Sequence, residues 1–112
     1  MQLPRVIRPP SAGVNRNKFR HKFNEKWAIK LWNAQEHKCF ICGEWLRMPG
    51  SDGRDSGEMP TLDHVVPLNL GGPHDRRNIT LTHKRCNNAR GNSPPGPGDI
   101  QRCLNLWRRI DP

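Results

Sequence analysis

Apolar residues are scarce in this 112-residue chain: 33% are hydrophobic, and ten glycines and eleven prolines interrupt the rest. That leaves room for one domain with a modest core, whose margin over chain entropy is thin. Such chains commonly need a staple, either a disulfide or a metal. Long apolar runs are missing, so no membrane partner is expected. Met1 to Pro10 lacks the apolar stretch of a secretory signal, which predicts a cytoplasmic protein. In that compartment the four cysteines (Cys39, Cys42, Cys86 and Cys103) point to metal binding before disulfides. Acids are scarce as well. Ten Asp and Glu stand against nineteen Lys and Arg, for a net charge of +9. This excess suits a polyanion through counterion release and steering, and nucleic acid is the leading candidate.

The order of elements follows from breakers and periodicity. Residues 1–22 read as a flexible basic arm, with Pro4, Pro9, Pro10 and Gly13 among Arg5, Arg8, Arg16, Lys18, Arg20 and Lys22. Residues 23–112 then form a single domain. Asn24 to His37 predicts a helix capped by Asn24, with Trp27 and Leu31 on an apolar face; its tryptophans are expected to pack in the core. Residues 47–60, rich in Gly and Pro, predict a loop. Thr61 to Val66 predicts a short strand ended by Pro67, Gly71-Gly72-Pro73 a turn, and Ile79 to Leu81 a second strand. His83 to Arg90 predicts a short helix stopped by Gly91. After a stiff link at 93–98, Asp99 is expected to cap a final helix to about residue 110, with Ile100, Cys103, Leu104 and Trp107 on one face.

Two polar constellations stand out. In the first, Cys39-x-x-Cys42 places two thiolates on a tight turn that Gly43 can close, and His83-x-x-Cys86 puts two more donors on one helical face. Together they predict a closed Cys3His zinc site of the structural kind. His37 and Cys103 are the alternative ligands, although Cys103 reads more simply as a small buried residue of the last helix. The second constellation lies between the zinc halves: Asp63, His64, Asn78 and Asn87. Histidine with a pKa near 6.5 can take a proton from water at neutral pH, and Asp63 and Asn87 offer hard oxygen ligands for Mg²⁺ or a similar ion. These are parts that a phosphodiester hydrolase needs. Neighbours on a regular strand point to opposite faces, so Asp63 with His64 demands that the strand twist or end there.

The order Cys39-x-x-Cys42, Leu62-Asp63-His64-Val65-Val66-Pro67, Gly71-Gly72, Asn78-Ile79 and Cys86-Asn87-Asn88-Ala89-Arg90-Gly91 resembles the HNH endonucleases, over residues 39–91. The resemblance implies an α+β fold: a small, treble-clef-like ββα-metal domain stapled by a structural zinc and flanked by an N-terminal and a C-terminal helix. It implies His64 as general base, Asn78 as the residue that orients it, and Asp63 with Asn87 as ligands of one catalytic divalent ion (Mg²⁺, Mn²⁺ or Ni²⁺). Products would carry 5′-phosphate and 3′-hydroxyl ends. Arg90, Lys84 and Arg85 are the candidate DNA contacts. The chain departs from the motif at Asn87, where the name has His, and at His83, where the zinc half commonly has Cys.

Taken together, these features predict a monomeric, divalent-metal-dependent endonuclease that nicks or cuts duplex DNA in a bacterial or phage-infected cell. Phage packaging proteins are among the partners the resemblance suggests. The competing reading is a non-catalytic zinc-containing DNA-binding module of the same fold. A zinc-held protein-interaction module would suit the tryptophans but leave the basic excess without a task.

Overall fold

The computed structural model describes residues 25–50 and 57–112. The basic arm, the Asn24 cap and the middle of the 47–60 loop lie outside the described residues. The elements are helix α1 (Glu25–Ala34), strand β1 (Pro60–His64), 3-10 turns at Leu68–Leu70 and Arg76–Asn78, strand β2 (Ile79–His83), helix α2 (Lys84–Arg90) and helix α3 (Asp99–Ile110). This is a small α+β fold, with one two-stranded antiparallel sheet and three helices among the described residues.

Helix α1 buries Ala28 and Leu31, and Trp27 and Trp32 pack half-buried against the same core. Trp27 lies 6.0 Å from the Trp107 ring, and Trp32 Nε1 donates to the Leu46 carbonyl at 2.9 Å. Both tryptophans therefore serve packing, as the sequence suggests. The helix stops three residues before the expected His37. Glu36 and His37 take φ of 58° and 62°, and His37 N–H reaches back to the Trp32 carbonyl. That left-handed closure ends the helix and turns the chain toward Cys39. Buried Gln35 follows the helix and ties it to β2: its amide donates to the Leu81 carbonyl and accepts from the Leu81 N–H.

The strands pair from Pro60 opposite His83 to His64 opposite Ile79. Side chains alternate across such a pair. Leu62, Ile79 and Leu81 join Leu31, Phe40, Leu46, Val65, Leu106 and Trp107 in the apolar core. The other face carries Thr61, Asp63, Thr80 and Thr82, and α2 lies against it. The first strand ends two residues before the expected Val66. Past His64 the ladder passes to Asn78: its backbone carbonyl accepts from Val65 N–H, and its side-chain oxygen accepts from Val66 N–H. Pro67 follows directly and has no N–H to continue the pairing. Further on, a Cβ at Gly72 would sit 1.9 Å from the Val66 carbonyl oxygen, so only glycine allows this close return of the loop.

Helix α3 is rotated from its expected face. Cys103, Leu106 and Trp107 are buried, whereas Ile100 and Leu104 are 50% and 36% exposed. Sequence periodicity allowed either choice, because leucines occupy both 104 and 106. Tertiary hydrogen bonds fix the orientation: Trp107 Nε1 donates to the Ile79 carbonyl at 2.9 Å and Cys103 Sγ to the Arg77 carbonyl at 3.1 Å. Gly98, in the left-handed region, takes the cap position expected of Asp99. Asp99 is the first helical residue, and its carboxylate accepts from Gly96 N–H and from Arg102.

Candidate metal centre and active site

Four donors converge where the turn at 39–43 meets the junction of β2 and α2. The ligand atoms of Cys39, Cys42, His83 and Cys86 all lie within 4.8 Å of one another. Around a tetrahedral zinc with bonds near 2.3 Å, ligand atoms stand roughly 3.8 Å apart. Cys42 Sγ lies 3.4 Å and Cys86 Sγ 3.7 Å from His83 Nδ1, so the set fits one such ion. His83 is 2% exposed, and its Nε2 donates to the Trp45 carbonyl at 2.9 Å, leaving Nδ1 as the free donor. Burial pushes the Cys39 thiol up, but N–H donors from Cys42, His83 and Ile41 outweigh it and hold the group below its ordinary value. Burial and the neighbouring thiols push Cys86 the other way, to about 12. Three thiolates so close together need a cation between them.

The alternative ligands are elsewhere. His37 bonds Asn33 and stacks on Trp32 at 3.7 Å. Cys103 is buried in the core, where burial raises its thiol to about 12.

The second constellation surrounds the end of β1. Asp63 faces α2, where Arg90 Nη1 donates to its Oδ2 at 2.6 Å. The other Arg90 nitrogen donates to the Val65 carbonyl. Both Asp63 and Arg90 are largely buried, with side chains 7% and 14% exposed. Burial raises Asp63 to about 6, against the pull of Arg90. Asn87 lies on the same face and donates to Thr61 Oγ1 at 3.4 Å. His64 alternates with Asp63 in the register, and β1 ends at His64, as the use of both residues at one site demands. Its ring stacks on that of His74, with centroids 5.7 Å apart and planes 27° from parallel. Asn78 is buried beneath this corner, and its Nδ2 donates to the Val66 and Pro73 carbonyls, both at 3.0 Å. One amide thus closes the loop from 66 to 73.

The candidate DNA contacts divide. Arg90 is turned inward on Asp63 and Val65 instead of outward. Arg85 is half-exposed and pairs with Glu58 at 2.6 Å. Lys84 is half-buried, and its backbone N–H bonds the Met59 carbonyl. Sequence reading missed His74, the Arg90 brace and the Gln35 tie. A signal for His74 existed: it follows the Gly71-Gly72-Pro73 reversal, which returns the chain toward residues 64–66.

Residues 49–93 match the family model described as HNH endonuclease. That segment is similar to an HNH endonuclease domain. The matched segment contains β1, β2 and α2, hence Asp63, His64, His74, Asn78, Asn87 and Arg90, with His83 and Cys86 of the metal cluster. Cys39 and Cys42 precede it, and α1 and α3 flank it. No curated protein matches the chain. The HNH assignment implies a function of nuclease or DNA-binding type, and the basic charge agrees with a DNA partner.

Proposed function

We propose that this HNH protein is a divalent-metal-dependent endonuclease that hydrolyses DNA phosphodiester bonds with His64 as general base. The observation that carries this reading is the brace around His64. Arg90 ties both of its neighbours, Asp63 and Val65, and Asn78 ties Val65 and Val66. A histidine so fixed, inside the segment that matches the family, suits proton transfer better than packing.

In the proposed reaction the neutral imidazole of His64 takes a proton from water as the water oxygen attacks phosphorus. The bond from phosphorus to the 3′-oxygen breaks as that oxygen takes a proton from solvent water, leaving 5′-phosphate and 3′-hydroxyl ends. A divalent ion held by Asp63 and Asn87 would offset charge on the phosphorane and the leaving oxygen. The donors suit Mg²⁺, Mn²⁺ or Ni²⁺: Asp63 gives one carboxylate oxygen to Arg90 and keeps the second, and Asn87 reaches the same face. Lys84 and Arg85, with the net charge of +9, would hold phosphates without reading sequence. Zinc at Cys39, Cys42, His83 and Cys86 has a structural task and takes no part in the reaction.

Replacing His64 by Ala is expected to lower metal-dependent plasmid cleavage by about 10²–10⁴-fold, with zinc content and thermal unfolding unchanged. Equal cleavage by wild type and H64A would sink the assignment. The second reading, a non-catalytic zinc-containing DNA-binding module, draws on the Asp63–Arg90 pair, a carboxylate already committed to structure. A wild type that binds duplex DNA yet stays inert with Mg²⁺, Mn²⁺ and Ni²⁺ would select it.

A further inference from the structure

We propose that Trp45, with Lys38 beside it, is a stacking platform for an unpaired base, so that the DNA this chain takes has single-stranded character near the cut. The inference rests on the reading of DNA as the substrate.

Trp45 is the most exposed large hydrophobic residue among the described ones, at 65%. The fold around it imposes that exposure. Trp45 bridges Lys38 in antiparallel fashion, and the next residue, Leu46, is fully buried in the core. Side chains alternate along such a segment, so anchoring Leu46 turns the indole outward. The backbone on both sides is fixed. His83 Nε2 donates to the Trp45 carbonyl at 2.9 Å, Leu46 N–H to the His37 carbonyl at 2.8 Å, and Cys39 N–H to the Glu44 carbonyl at 2.8 Å. Trp27, Trp32 and Trp107 pack in or against the core. A ring that served packing, or that covered the metal cluster, would not be held so far out in water. A rigidly mounted aromatic is instead a binding surface whose ordering precedes the ligand.

The charge around the ring selects the occupant. Residues opposite each other in an antiparallel pair share one face, with Cβ atoms about 5 Å apart. Lys38 therefore stands beside the indole, and it is exposed as well. Trp45, Arg47, Glu58 and His83 line an open recess of about 170 Å³. Its one carboxylate, Glu58, is paired with Arg85 at 2.6 Å. An aromatic face next to a cation suits a nucleotide strand, with the base on the ring and the phosphate on the ammonium. The net charge of +9 favours that occupant over an apolar protein surface. Bases within a duplex already stack on both faces, so the platform takes unpaired ones. His83 and His64 mark opposite ends of the sheet, since Pro60 pairs with His83 and β1 runs on to His64. That separation is about 13 Å, or roughly four nucleotide steps along a stacked strand.

The test uses full-length, zinc-loaded protein without added divalent ion. Binding of a single-stranded oligonucleotide of about 12 nucleotides is compared with that of its duplex, by anisotropy and by tryptophan fluorescence. W45A is expected to raise the single-strand Kd by about 5–150-fold and the duplex Kd by less than about twofold, the span expected for one stacked base. W45F keeps a ring and should fall between wild type and W45A for the single strand. Single-strand binding should quench part of the wild-type emission, and W45F should lose that part. K38Q is expected to reduce the slope of log K against log salt by about 0.7, one phosphate contact on a single strand. Unchanged single-strand affinity in W45A would overturn the proposal and leave the exposed indole to a protein partner. Equal losses for single strand and duplex would overturn it too, as would W45F as weak as W45A. Matched zinc content and melting across the variants exclude misfolding as the cause. None of these measurements needs cleavage. An inert wild type with Trp45-dependent single-strand binding would sink the nuclease reading and uphold this one, whereas a cleaving wild type with unchanged W45A affinity would sink this one alone.

Discussion

The metal cluster and the His64 corner are both polar, but they are built from different residue types and held in different ways. At the cluster four donors point at one another, and backbone N–H groups point at Cys39 sulfur. Nothing there is complete without a cation. At the corner the polar groups already satisfy one another: Asp63 with Arg90, Asn78 with three backbone groups, Asn87 with Thr61. The first region converges on a point and suits a permanent ion. The second leaves a histidine at the end of a strand with its neighbours immobilised, which suits a reacting group.

The sharpest way to break the comparison is to disable the cluster. C39S or C86S, or stripping metal with a strong chelator, is expected to abolish cooperative thermal unfolding. Zinc binding in small metal domains is worth about 10–16 kcal/mol, more than a domain of this size has in reserve. A metal-free protein that melts as wild type does would show that the cluster is not a staple. The corner should respond less. R90A leaves Asp63 buried without its partner and is expected to cost about 3–5 kcal/mol in denaturant unfolding. R90K keeps charge but loses the two-pronged geometry, and should fall between wild type and R90A. A loss below about 1 kcal/mol would mean that the pair behaves like an exposed one.

The smallest effect concerns protons. The Asp63 carboxyl is raised by burial from 3.8 to about 6. Between those values the folded state binds more protons than the unfolded state, so this group makes stability fall as pH rises. The stability of wild type relative to D63N should therefore decline from about pH 4 to 6 and level off above, in paired denaturant titrations. An opposite slope would mean that the Arg90 bond outweighs burial, which would place Asp63 below its ordinary value.

Where the sequence was legible, the constraint was local. Cys39-x-x-Cys42 and His83-x-x-Cys86 could be read because knuckle and helical spacing decide which donors share a face. The sheet, α2 and the stop at Gly91 were legible from alternation and breakers. Other features stayed hidden because their partners are far away in sequence. Arg90 meets Asp63 across 27 positions, and Gln35 meets Leu81 across 46. The two extra residues assigned to β1 and the three assigned to α1 reflect competitors that patterning ignores: a side-chain amide that replaces the ladder, and two residues with positive φ.

The sequence by itself determined the class of this protein: a small basic domain, a Cys3His donor set, and an Asp-His pair before a Gly-Gly turn and an Asn. Spacing and composition carry that much because ligand geometry and hydrophobic alternation act over a few residues. Tertiary structure alone decided which face of α3 is buried, that Arg90 faces inward, and that His74 lies against His64. Those outcomes depend on which elements meet, and the meeting is settled by packing around Trp107 and by the hydrogen bonds of Asn78.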